Sequence, residues 1–317
     1  MARILVTRPM PERVADAVRA LGEAELRAST APLSAGELRA ALRDFDVVLP
    51  TLRDAFSAEV FADVPAPRAR LLANFGMGFN HIDVAAAHKA GLAVTNTPGA
   101  VTDATADIGM ALILMSCRRA GEGERLVRAG KWTGWHPTQM LGLHVTGKTV
   151  GIIGMGNIGQ AIARRCHLGF GMEVVYVTRS PKSLDFPATP VETIEALVDV
   201  ADVVVCCVPG SAETHHMMSA DLFAAMKPTA HFVNVSRGDV VDEAALIEAL
   251  RAGRIAGAGL DVYEFEPAVP EALIAMENVT LLPHLGTATL EVREAMGMMA
   301  VENIRAFLAG EPLPNPV

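Results

Sequence analysis

Residues 150–153 read Val-Gly-Ile-Ile, residues 154–159 read Gly-Met-Gly-Asn-Ile-Gly, and residues 160–165 continue as Gln-Ala-Ile-Ala-Arg-Arg. Few short patterns limit a fold so tightly. An apolar strand that runs into Gly-x-Gly-x-x-Gly and out into a helix is the start of a β-α-β unit shaped around a dinucleotide pyrophosphate. Gly154 is expected to make the tight turn, Gly156 to let the pyrophosphate approach the backbone, and Gly159 to let the helix lie close to the strand. Met155 sits between the first two glycines. The N–H groups at the helix start, including those of Asn157 and Ile158, are expected to hold the phosphates.

The surrounding chain keeps the same rhythm. Apolar runs at 149–153, 174–177, 203–208, 231–235, 258–262 and 279–282 alternate with helical segments, which describes a doubly wound parallel sheet. An earlier series occupies the first hundred residues: strands at 4–6, 47–49, 71–73 and 92–94, helices at 11–21 and 82–90, and a turn at 74–78. Thr97-Pro98-Gly99 reads as a linker, Asp103 or a neighbour as the cap of a buried helix reaching Cys117, and 289–308 as a final helix. Residues 121–148 are irregular and hold both tryptophans, Trp132 and Trp135. They fit equally an interface arm or a surface loop with its indoles tucked into the local core.

Composition narrows the function classes. With 27 Lys+Arg against 36 Asp+Glu the formal charge is −9, which argues against a nucleic-acid partner. No apolar run reaches the ~20 residues of a membrane span, and the N-terminal run is too short for a signal-peptide core, so a cytoplasmic protein is expected. Cys117, Cys166, Cys206 and Cys207 lack metal-ligand spacing and read as reduced packing residues. His215-His216 raises a metal question, set aside because adjacent side chains are expected to diverge.

Two further sites carry chemistry. About twenty residues past the glycine motif, an NAD-binding chain presents an acid for the ribose hydroxyls; this one has Thr178-Arg179-Ser180. Arg179 and Ser180 suit a 2′-phosphate, so NADP(H) is the expected cofactor. A reading in which Arg179 stacks on the adenine of NAD(H) stays open. Arg237, Glu266 and His284 each follow an apolar run of the second series, and in an open α/β sheet ligands bind at the carboxyl ends of strands. Their chemistry matches reduction of a 2-keto acid: Arg237 to grip carboxylate and carbonyl, His284 to give a proton to the forming alkoxide, and Glu266 to favour the charged imidazole.

With residues 74–83 (NFGMGFNHID), 96–99 (NTPG), 154–159, 234–238 (NVSRG), 259–267 and 283–287 (PHLGT), the sequence resembles the D-isomer-specific 2-hydroxyacid dehydrogenase family over nearly its whole length. The resemblance implies two Rossmann-like α/β domains: a doubly wound cofactor domain, 100–287, inserted into a smaller flavodoxin-like substrate domain, 1–99 with 288–317. It implies Arg237 as the substrate-orienting residue, Glu266 as partner of the histidine, and His284 as general acid/base. Main-chain amides of Met77 and Gly78 would meet the substrate carboxylate, and Leu52, Arg53, Met77 and Met140 would wall the pocket. Val208, Pro209, Thr214, Val235, Ser236 and Gly286 fall where the family lines the cofactor, with Asp261 expected to bind the carboxamide. Residues 117–119 (CRR), 131–137 (KWTGWHP) and 178–180 (TRS) look most like the glyoxylate/hydroxypyruvate reductase branch. There Trp135 would lie in a dimerisation arm, about 120–147, of a homodimer and would reach over the partner's active site, as a substrate-binding residue that limits substrate size.

The chain departs from the family pattern in two places: the acid after the second strand is missing, and Asn80-His81 stands where Asp-Asn is common. Other readings are a dehydrogenase for a larger keto acid and a non-enzymatic cofactor-sensing protein. No metal is implied.

Overall fold

A computed structural model describes all 317 residues. They form two compact units, residues 1–101 with 288–317, and residues 102–287. The first unit runs β1 (Arg3–Val6), α1 (Glu12–Arg19), β2 (Glu23–Leu26), α2 (Ala35–Asp44), β3 (Val47–Leu49), α3 (Ala58–Ala62), β4 (Leu71–Ala73), α4 (Val84–Lys89) and β5 (Ala93–Thr95). Its strands pair in parallel in the order β2-β1-β3-β4-β5, the flavodoxin-like arrangement, which changes direction between β1 and β3. Every residue of β3 and β4 is buried, as parallel strands covered on both faces require.

Three of these elements, β2, α2 and the five-residue α3, lie outside the sequence expectations. Edge strand β2 alternates exposed Glu23 and Glu25 with half-buried Ala24 and Leu26, so it offers no apolar run. Helix α2 does carry a signal: Ser34 and Glu37 form a capping box, with the Ser34 N–H donating to the Glu37 carboxylate at 2.8 Å. A C-terminal helix, Leu290–Ala309, is capped by Thr289 and returns to this unit. It packs so close to α1 that a Cβ on Gly297 would lie 2.4 Å from Val14 Cγ2.

The second unit begins with α5 (Thr102–Cys117) and α6 (Ala120–Arg128), followed by β6 (Thr149–Ile153), α7 (Asn157–Phe170), β7 (Glu173–Val177) and β8 (Thr189–Pro190). It continues through α8 (Ile194–Val200), β9 (Val203–Cys206), α9 (Ala220–Ala225), β10 (His231–Asn234), α10 (Glu243–Arg251), β11 (Gly257–Leu260), α11 (Glu271–Ala275) and β12 (Val279–Leu281). The parallel order is β12-β11-β10-β9-β6-β7-β8, which reverses between β6 and β9. One core layer joins Leu112, Ile113, Ile152, Ile162 and Val205; the other joins Leu197, Phe223, Phe232 and Leu246, with the two phenylalanine rings edge to face at 5.3 Å.

Here too the structure corrects the sequence reading. Residues 120–128 are helical, not irregular; α6 buries none of its side chains, so it adds nothing to the core, and ion pairs such as Arg119 to Glu122 support it instead. Asp103 does not cap α5. The helix already includes Thr102, and Asp103 lies in its first turn, paired with Arg165 at 3.0 Å. Nor do His215 and His216 diverge: their rings stack with centroids 4.0 Å apart, because His216 takes a left-handed backbone with φ 49°.

At the start of β10, buried His231 has its Nδ1 2.7 Å from Ser116 Oγ on α5. Burial pushes its pKa down from 6.5 to about 4. The unfolded chain therefore binds a proton that the folded chain refuses, and stability falls as pH drops through that window. Urea melts at about pH 7 and pH 4.5 are expected to show the wild-type protein losing about 2–3 kcal/mol more than His231→Gln; equal losses would contradict this.

Candidate active site

The carboxyl ends of β6 and β9 face each other where the winding reverses. β6 leaves its sheet through Gly154, whose φ of 97° only glycine adopts freely, and a Cβ there would lie 2.8 Å from Val208 Cγ1. A Cβ on Gly159 would lie 2.2 Å from the Gly154 carbonyl oxygen, whereas one on Gly156 would meet nothing within 4 Å. The backbone at Gly156 is thus open to a ligand, and it leads into the first turn of α7, at Asn157 and Ile158, which no side chain caps. A helix start with free N–H groups and an open approach fits a dinucleotide pyrophosphate. Buried Met155 packs into the core behind the turn.

Beyond β7, Thr178 is half-buried while Arg179 and Ser180 are exposed. Arg179 touches only Glu213 among charged groups, at 3.5 Å, and its side chain is 85% exposed. After β9, Thr214 Oγ1 donates to the Pro209 carbonyl at 2.8 Å and accepts from the Ser211 N–H at 2.9 Å, which folds the 209–214 loop on itself.

Three adjacent strands deliver the candidate reacting groups. At the end of β10, Asn234 organises the exit: its Oδ1 accepts from the Ser236 N–H at 3.0 Å, and its Nδ2 donates to the Arg237 carbonyl at 3.0 Å. The sequence reading assigned Asn234 no role, although the NVSRG motif contains it. Val235 and Ser236 are buried and Arg237 half-buried. Gly238 lies so tightly against the Tyr263 backbone that a Cβ would be 1.8 Å from its carbonyl carbon. Only glycine lets these two exits meet.

After β11, Asp261 is buried and both its oxygens are engaged: Oδ1 accepts from the Leu285 N–H at 2.6 Å and Oδ2 from the Gly286 N–H at 2.8 Å. Its carbonyl accepts from the His284 N–H at 2.9 Å. Asp261 thereby clamps the loop after β12, in which His284 holds a left-handed backbone with φ 54°. The His284 Nδ1 lies 2.9 Å and 3.2 Å from the two Glu266 oxygens, so the ring presents Nε2 on its opposite side. Tyr263 braces the same turn, its N–H donating to Glu266 Oε1 at 3.2 Å and its hydroxyl to the Leu282 carbonyl at 2.9 Å.

The charges are mutually dependent. Burial alone would raise the Glu266 carboxyl, but the His284 hydrogen bond and charge, with the Tyr263 amide and Arg237, hold it below its ordinary value. Burial lowers Arg237, against the pull of Glu266 and Asp239; an arginine nonetheless stays charged. Burial pushes the Asp261 carboxyl up despite its two amide donors and the charge of His284.

In the first unit, Leu52 and Arg53 form the turn after β3, with Arg53 exposed at φ 77°. The turn is held by fully buried Asp54, which accepts from Thr7 Oγ1 at 2.6 Å, the Thr51 N–H at 2.9 Å and the Leu33 N–H at 3.0 Å. After β4, Asn74 Nδ2 donates to the Gly76 and Gly78 carbonyls and Asn96 Nδ2 to the Met77 carbonyl. A planar trans peptide sets N–H opposite C=O, so the Met77 and Gly78 amides point away from these side chains. Met140 approaches Gly123 on α6, while Trp132 and Trp135 are 53% and 80% exposed, so neither indole is tucked into the core.

A family model described as D-isomer specific 2-hydroxyacid dehydrogenase, NAD binding domain, matches residues 110–286. Glyoxylate reductases from Thermococcus onnurineus and Korarchaeum cryptofilum are 42% and 44% identical to this chain, each match covering 99% of it and 95% of the relative. An NADPH-dependent glyoxylate/hydroxypyruvate reductase from Sinorhizobium meliloti, solved with NADP and malonate, has a TM-score of 0.88 at 36% identity, covering 100% of this chain and 96% of that one.

Asp261→Ala removes the acceptors of two main-chain amides, one buried and one half-buried, each worth about 1–3 kcal/mol. Hydrogen exchange at Leu285 and Gly286 is expected to accelerate at least about tenfold, and unchanged protection would show that the clamp does not hold the loop.

Proposed function

The chain belongs to the D-isomer specific 2-hydroxyacid dehydrogenase family and is an NAD(P)-dependent oxidoreductase acting on the CH–OH group, and from that premise we propose that it reduces glyoxylate, hydroxypyruvate and similar small 2-keto acids, with NADPH preferred. The observation that carries this reading is that Arg237 and the His284–Glu266 pair stand at the exits of three adjacent parallel strands.

Bound NADPH supplies a hydride to the carbonyl carbon. Arg237 receives the carboxylate and the carbonyl oxygen, and its charge stabilises the negative charge that grows on that oxygen. His284 transfers a proton from Nε2 to the same oxygen. Glu266, across Nδ1, orients the ring and compensates its positive charge before transfer; in the oxidative direction the neutral ring takes the proton back. In the first unit, the outward amides of Met77 and Gly78 are assigned to the substrate carboxylate, and Leu52 and Arg53 to the pocket wall.

The NADPH preference rests on the β7 exit, where Arg179 and Ser180 stand exposed and no carboxylate occupies the usual acid position. The NADP carried by the Sinorhizobium meliloti relative supports it. Val208, Pro209, Thr214, Val235, Ser236 and Gly286 are assigned to cofactor contacts. So is Asp261, whose oxygens each have a second lone pair for the carboxamide. Exposed Trp132, Trp135 and Leu141 support a homodimer built through residues 120–147. Burial raises the Cys117 and Cys166 thiols to about 12, so they stay protonated, in keeping with reduced cysteines in a cytoplasmic protein.

A keto-acid panel assayed with NADPH and NADH side by side tests the reading; no turnover of any member would sink it. Arg179→Asp is expected to lower the NADPH:NADH preference by about 10–100-fold, and an unchanged ratio would show that Arg179 does not read the phosphate. His284→Ala is expected to cut kcat by about 10²–10⁴ with NADPH affinity nearly unchanged; parallel losses in both would contradict its assigned role.

A further inference from the structure

A second imidazole–carboxylate pair stands behind the first. His216 Nε2 lies 2.8 Å from Glu264 Oε1, with the Glu264 side chain largely buried and that of His216 partly exposed. None of the roles assigned above uses it. The two residues come from loops 48 positions apart in sequence: His216 closes the loop after β9, and Glu264 lies two residues before Glu266 on the loop after β11. The same histidine also reaches the loop after β10, its N–H donating to the Asp239 carbonyl at 2.8 Å, two residues past Arg237. Met218 continues that seam, donating its N–H to the Val240 carbonyl at 3.0 Å. One short segment therefore braces both the Arg237 loop and the Glu266 loop.

Glu264 is fastened from its other side as well. Its N–H donates to Oε1 of buried Glu243 at the start of α10, at 3.1 Å. Three acids, Glu243, Glu264 and Glu266, thus crowd one turn and repel one another, and each carboxylate needs a donor to stay there. His284 faces Glu266, and His216 faces Glu264. The left-handed backbone at His216 is a conformation that a non-glycine residue keeps only where its surroundings impose it. Here the Glu264 contact and the stacked His215 ring do so.

We propose that His216 is a positioning residue, which through Glu264 holds the β11 exit loop so that Glu266 stays on Nδ1 of His284. The proposal rests on the reading that His284 moves the substrate proton. Without the His216 contact, Glu264 relaxes away from the neighbouring acids and draws the turn with it. The His284 ring then loses its fixed orientation, while the glycine-motif side of the cofactor site is untouched.

The test uses holoenzyme labelled with ¹⁵N-histidine, the His284 signals being identified by their loss in His284→Gln. His216→Ala and Glu264→Ala are each expected to shift the His284 ring resonances. Glu264→Gln, which keeps an acceptor for His216, is expected to leave them in place. If an alanine variant does not fold, His216→Asn, too short to reach Glu264, takes its place with the same expectation. In steady state, kcat is expected to fall about fivefold or more with KM for NADPH within about twofold, and the double alanine variant to be no slower than either single one. Unmoved His284 resonances in both alanine variants, or losses that multiply in the double variant, would overturn the proposal. Failure of the functional reading looks different: the wild-type protein would turn over no keto acid while the resonance shifts persisted.

Discussion

The reacting end of the second unit depends on how one buried carboxylate is shared. Asp261 gives each oxygen to an amide of the neighbouring loop and its own carbonyl to a third, so the last residues of β11 dictate the path of the chain after β12. That dictation lets His284 keep a left-handed backbone, a conformation costing roughly 1 kcal/mol or more when nothing enforces it. On its other flank β11 meets β10 through the backbone contact at Gly238. Parallel register supplies the rest. Asn234 pairs with Leu260 and Leu260 with Leu281, so the chain leaves all three strands at the same level.

The electrostatics are local in the same sense. A chain of formal charge −9 repels anions at a distance, yet the proposed ligands are a keto acid and a phosphorylated dinucleotide. Attraction therefore arises at short range, from Arg237, from Arg179 and from the uncapped start of α7. Around Arg237 the acids Asp239 and Glu266 maintain the charge that burial opposes. Acidity and anion binding coexist because each cation is placed at a strand or helix end.

Much of the second unit was legible because its information is repetitive: every core strand of a doubly wound sheet is an apolar run, and the glycine motif sits where strand turns to helix. What escaped detection lacks that redundancy. β2 and β8 are short edge strands with exposed residues, and α6 buries nothing, so none of them brings the apolar run that marks a core element. At the candidate site, the residues proposed to carry the chemistry stand out by chemical type, as Arg237, Glu266 and His284 do. Residues that hold those residues do not. Asn234, Tyr263 and Glu243 work through main-chain bonds, and a main-chain partner leaves no mark on the sequence that accepts it. His215-His216 stands out in composition but not in geometry, because adjacent side chains diverge only on regular backbone, and φ at His216 is positive.

The first unit is assembled from both ends of the chain, with α1 packed against Gly297 of the helix Leu290–Ala309 and Thr95 bridged to Pro316. Synthesis runs from the N-terminus, so the second unit has all its strands while the first still lacks the helix that covers α1 and β4. Until that helix is made, the first body has an open apolar flank along α1 and β4. The segment that seals the first body is therefore the last part of that body to be made.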